Sequence, residues 1–86
     1  MPMIARSYLR SAYEMTPAKA VLEASRLLGS KANLARELKV RPPTVSQWAS
    51  GDRPVPAARA IEIERLTEGR VRKEWLSPGF PWESAA

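Results

Sequence analysis

Apolar residues fall along this chain in short groups of helical period, broken by glycine and proline. Ala18, Val21, Leu22, Ser25 and Leu28 follow i, i+3, i+4 spacing, the pattern of one helix face. Thr16 and Pro17 precede them and Gly29 follows. A hydroxyl can accept from a free first-turn N–H, proline needs no donor there, and glycine permits a left-handed stop. The pattern predicts a helix over about 17–28. Ser30 opens a second run in which Leu34, Ala35 and Leu38 form one edge, predicting a two-turn helix over about 31–38. Only Lys39, Val40 and Arg41 separate it from a third helix over about 42–50. Pro42 and Pro43 can begin that helix because their missing N–H groups fall where no intrahelical acceptor exists. Pro43 also pushes Pro42 toward extended geometry, which leaves a start one residue later open. Val45, Trp48 and Ala49 give the buried edge, and Gly51 ends the helix.

"GDRPVPAA" is a stiff turn into a fourth helix, about 57–68, that stops at Gly69. Its apolar residues do not share one stripe: Ala57 and Ile61 face one way, while Ile63 and Leu66 lie well round the cylinder. One face is expected to pack on the first three helices, the other to meet the C-terminal segment or a second subunit. The tail carries Val71, Trp75, Leu76, Phe80 and Trp82, interrupted by Pro78, Gly79 and Pro81. "RKEWL" reads as a short helix or turn, and "GFPW" as an extended strip docked on the body or on a partner, with frayed last residues. Residues 1–15, with Tyr8, Leu9 and Tyr13, lack clean periodicity; arm, short helix and extension all remain open. The division is thus an extension at 1–15, a helical domain at 16–76 and a tail at 77–86.

At 86 residues the chain holds one domain with a modest core. Its 44% hydrophobic and 27% charged residues describe a globular chain, and no apolar run nears the ~20 residues of a membrane span. With no secretory h-region either, the expectation is a soluble cytoplasmic protein with no membrane partner. The absence of cysteine and histidine argues against disulfides, a metal site and the commonest proton-transfer side chain. Glu62 and Glu64 are two apart and splay on a helix, and no nucleophile, base and orienting group converge. No catalytic residue, metal or cofactor is expected, and the chain does not read as an enzyme. Charge is more informative. Of a net +5, residues 17–53 hold seven cations against three acids, whereas residues 54–86 hold five of each sign. A basic patch of that kind suits a polyanion, since each neutralised phosphate releases counterions.

Two short helices joined by three residues must cross steeply, which favours a small side chain at the crossing. Ala35 takes that place, and Val45, ten residues later, offers a compact side chain to the same core. The set Leu34, Ala35, Leu38, Val40, Val45 and Trp48 resembles the helix-turn-helix of phage Cro-like repressors and related prophage regulators, including the Cro/YdaS antitoxin-like group. The likeness continues through "GDRPVPAARAIEIERLTEGRV" and spans roughly residues 16–76. It implies an all-α, compact four- to five-helix, lambda-repressor-like domain with an extended aromatic tail. It further implies a homodimer that binds a pseudo-palindromic operator in double-stranded DNA and represses transcription. The alternative is an antitoxin-like protein that binds a partner protein and autoregulates its operon.

On that resemblance residues 42–50 enter the major groove, with Arg41, Pro43, Thr44, Ser46, Gln47 and Ser50 as base contacts. Gln47 leads, because a carboxamide can pair in bidentate fashion with adenine. Lys31, Asn33, Lys39 and Arg53 are the expected phosphate contacts, which set register without reading sequence. Ile63, Leu66, Trp75, Phe80 and Trp82 form the expected dimer interface. Trp48, three residues after Val45, reads as core rather than a stacking platform. Two positions depart from the usual motif: Lys39 stands where glycine is common, and Pro42 and Pro43 stand where glutamine or serine is common.

Overall fold

The computed structural model describes residues 15–85, and the expectations for residues 1–14 fall outside it. Capping decides where the first two helices begin. Thr16 accepts from Lys19 N–H at 3.2 Å, starting α1 (Pro17–Leu28), and Gly29 ends it at φ 110°. Ser30 accepts from Asn33 N–H at 3.0 Å, starting α2 (Lys31–Leu38). Lys39 then turns left-handed at φ 59°, and Val40 N–H reaches back to Ala35 O at 3.0 Å. Lysine thus occupies the backbone conformation that glycine adopts more cheaply. The third helix, α3 (Pro42–Ser50), carries both prolines in its first turn and has no side-chain cap; Gly51 closes it at φ 86°.

After the turn come α4 (Ala57–Leu66), α5 (Lys73–Leu76) and α6 (Trp82–Ala85). The regular secondary structure of the described residues is therefore all helical, and none of their helices is long and apolar enough to cross a membrane. Helices α1, α2 and α3 pack pairwise on one another, while α5 bridges α4 and α1. Their shared core includes Ala20, Val21, Ala24, Leu34, Ala35, Leu38, Val45 and Trp48, joined by Val55, Ala60, Ile63, Val71 and Leu76 from the second half. Ala35 and Val45 are both fully enclosed, as two short, steeply crossing helices require.

Three details differ from the sequence expectation. On α1 the buried face is Ala20, Val21, Ala24 and Ser25, and Leu22 points out at 45% exposure. Small alanines one turn apart let α1 approach its neighbours closely, and that rotation carries Leu22 away from the core. Helix α4 ends at Leu66, before Gly69, because the Thr67 hydroxyl donates to Ile63 O at 2.9 Å and accepts from Val71 N–H at 3.1 Å. Glu68 then takes a positive φ of 55° and Gly69 one of 82°. The end of the tail is not an extended strip: Trp82 begins one helical turn and donates through its indole N–H to Ser77 O at 2.8 Å. Ser77 in turn donates to Val55 O at 2.6 Å, which ties the tail to the segment before α4.

Candidate nucleic-acid interface

Helix α3 owes its orientation to Val45 and Trp48, which are buried on one side. At 100° per residue the opposite side carries Pro43, Ser46 and Ser50, all exposed, with Gln47 half-buried beside them. Thr44 and Ala49 flank this face and are also half-buried. Pro42 and Arg41, at the leading end, are exposed. The outward surface is thus short and weakly polar, and a backbone so covered can come close to a partner.

Cations bracket this face. Lys39 and Arg41 lie in the turn before α3, and Arg53 follows it, held near the helix end by its own N–H donating to Gln47 O at 3.2 Å. All three side chains are exposed. None has an ion-pair partner among the described residues, leaving their charge available to an anion. Lys31, also exposed, stands at the far end of α2, about 11 Å from its C-terminus at 1.5 Å per residue.

Two of the expected contact residues are occupied by local bonds. Asn33 donates from its side-chain amide to Leu28 O at 2.9 Å, and its amide oxygen accepts from Arg36 Nη1 at 3.3 Å. That side chain staples the α1–α2 turn, and a Cβ at Gly29 would come within 2.6 Å of its nitrogen. Asn33 is therefore a structural residue in the free chain. Ser50 donates to Gln47 O at 3.1 Å and accepts from Asp52 N–H at 3.4 Å, so its hydroxyl closes the helix end. Both bonds are local and left no periodic mark in the sequence.

Periodicity overlooked two arginines. Arg36, exposed on α2, adds a cation to the helix before α3. Arg59 projects from α4, donating to Leu38 O at 3.0 Å and to Glu62 Oε1 at 2.8 Å. It thereby fills a carbonyl at the end of α2, one residue before the left-handed Lys39. Partners 21 positions apart leave no short-range signal.

Of the five expected dimer residues, one is buried, three are partly buried and one is exposed. Ile63 has no accessible surface and belongs to the core of the single chain, because the Ala60–Ile63 side of α4 is the buried one. Leu66, Trp75 and Trp82 pack partly buried against the same core. Phe80 remains 39% exposed, its ring 4.5 Å from that of Trp82. Glu64, beneath the α4–α5 junction, accepts from Arg72 Nε and Lys73 N–H, both at 3.1 Å. Partial burial pushes its carboxyl upward, but these hydrogen bonds and the nearby Lys73 and Arg72 charges outweigh that and hold it below the ordinary value of 4.5.

A family model described as "Bacterial toxin YdaS" matches residues 17–85. Over 60 residues, 70% of this chain and 61% of the relative, the sequence is 43% identical to YdaS of Escherichia coli (strain K12), named as a candidate transcriptional regulator. It is 38% identical over 55 residues to the regulatory protein cro of Pseudomonas phage D3, covering 64% of this chain and 75% of that protein. No solved structure matches the chain significantly.

Proposed function

The chain belongs to the YdaS family, and on that premise we propose that it is a sequence-specific double-stranded-DNA-binding transcriptional regulator. In this reading it is a cytoplasmic, Cro-like repressor that places α3 in the major groove as a homodimer on a pseudo-palindromic operator. The observation carrying the proposal is the surface of α3. Val45 and Trp48 anchor the helix inward, Pro43 and Ser46 point outward beside the half-buried Gln47, and Lys39, Arg41 and Arg53, without ion-pair partners among the described residues, stand at its two ends. That is a reader between electrostatic clamps. Gln47 reads a base, Arg41 reaches a guanine edge or a phosphate, and Lys31, Lys39 and Arg53 hold phosphates. The names of the two relatives, one a regulator and one a cro protein, support the same reading.

The test is fluorescence anisotropy with duplex from the region upstream of the protein's own gene. Binding there is expected to exceed binding to random duplex at equal salt, and equal affinity would refute specific repression. Gln47→Ala should lower that discrimination by about 1–3 kcal/mol while leaving non-specific affinity nearly unchanged. A uniform loss on all sequences would deny Gln47 its reading role.

A second reading, action on a partner protein, draws on the family's description as a toxin and on the exposed Phe80. It predicts that growth arrest on expression persists in an Arg41→Ala, Gln47→Ala double variant that no longer binds operator DNA. Arrest lost together with DNA binding would remove it.

A further inference from the structure

Helix α4 presents the side away from the core as an open groove of about 570 Å³, lined by Ile61, Glu64, Arg65, Glu68, Gly69 and Arg72. Ile61 lies on it with 40% of its surface exposed, one of three large apolar side chains so exposed among the described residues. Its charges differ from those around α3. Two arginines and two glutamates share the groove, giving no net charge. Glu64 is already satisfied by Arg72 and Lys73. Arg65 and Glu68 have no ion-pair partner among the described residues, and Arg65 lies one helical turn beyond Ile61.

We propose that this groove is the docking surface for a second copy of the chain. A two-fold contact brings the same patch against itself, so residue i meets j while j meets i. A patch with one exposed isoleucine, one cation and one anion, neither ion-paired among the described residues, satisfies that condition. Ile61 is covered, and Arg65 of each copy meets Glu68 of the other, giving the pair twice. Duplex DNA gains nothing from a neutral groove. A segment of single charge sign meets repulsion from either Arg65 or Glu68. A second copy brings both signs in the required number. The proposal deepens the homodimer reading above, moving the interface from Ile63, which is buried, and from Trp75 and Trp82, which are partly buried, to the opposite face of α4. It does not depend on which DNA sequence α3 prefers.

Sedimentation velocity on the full chain, across a concentration series at low and high salt, tests it. The native chain should show a concentration-dependent monomer–dimer equilibrium that weakens with salt. Ile61→Glu should abolish the dimer. Arg65→Glu and Glu68→Arg, each placing like charges together, should weaken it by about tenfold or more, and the two combined should restore it to within about threefold. Circular dichroism melts on each variant establish folding, and the charge-exchanged double variant remains decisive if Ile61→Glu proves unstable. A monomer at every concentration, a dimer unaffected by Ile61→Glu, or a double variant no better than the singles would overturn the proposal. Binding of Ile61→Glu to a single half-site reports on the DNA reading separately: retained half-site binding with a lost dimer supports both, and a salt-sensitive dimer without operator preference refutes the DNA reading alone.

Discussion

Lys39 keeps a left-handed backbone at φ 59° that a residue bearing a Cβ adopts at a cost of roughly 1–2 kcal/mol. Its exposed ammonium, without an ion-pair partner among the described residues, adds nothing to the core that would offset this. Lys39→Gly should therefore raise the unfolding free energy by about 1 kcal/mol or less, since glycine's freer unfolded chain cancels part of the gain. The same change should weaken DNA binding on all sequences alike and reduce the salt slope by roughly one unit. Urea titration and anisotropy at two salt concentrations measure the two effects. Single residues also show why the site was only partly legible in the sequence. Gln47, Arg41 and Arg53 fall where helical spacing and charge clustering place them. Asn33 and Ser50 look identical in sequence whether a hydroxyl or amide faces DNA or bonds its own backbone.

Element boundaries divide the same way. Helices α1 and α2 begin where Thr16 and Ser30 signal, because capping is a local reaction between neighbours in sequence. The end of α4 was set instead by the Thr67 hydroxyl, which serves Ile63 O and Val71 N–H together, and no periodic rule encodes that choice. Which face of α4 is buried likewise depended on what α2 and α5 offered it, so Ile63 turned inward and Ile61 outward. The α4–α5 junction has its own pH signature. Glu64 titrates lower in the folded chain than unfolded, so its contribution is complete above about 4.5 and is lost as pH falls through the lower folded value. Urea midpoints compared at pH 6 and pH 3 should fall more for the native chain than for Glu64→Gln, which lacks the titrating group.

At the scale of the chain, the excess positive charge is concentrated in one part of the sequence. The excess cations gather on the half containing α1 to α3, whereas the half containing α4 and the tail is neutral and supplies closure of the core. The tail closes it through a relay from Val55 O to Ser77 to the Trp82 indole, with Lys73 Nζ 5.5 Å from the Trp82 ring. Removing residues 78–86 should lower the melting temperature by about 5–10 °C, read by circular dichroism, because Trp82 is stripped from the core and a polar relay is opened. An unchanged melt would free the tail for an external role. One guanidinium crosses the divide between the halves. Arg59 leaves the helix that bears the Ile61 groove and ends on the carbonyl of Leu38, just ahead of the turn into α3. In the dimer proposed above, subunit spacing and the tilt of α3 share this contact, and a chain adapting to an operator with differently spaced arms has to renegotiate both at once.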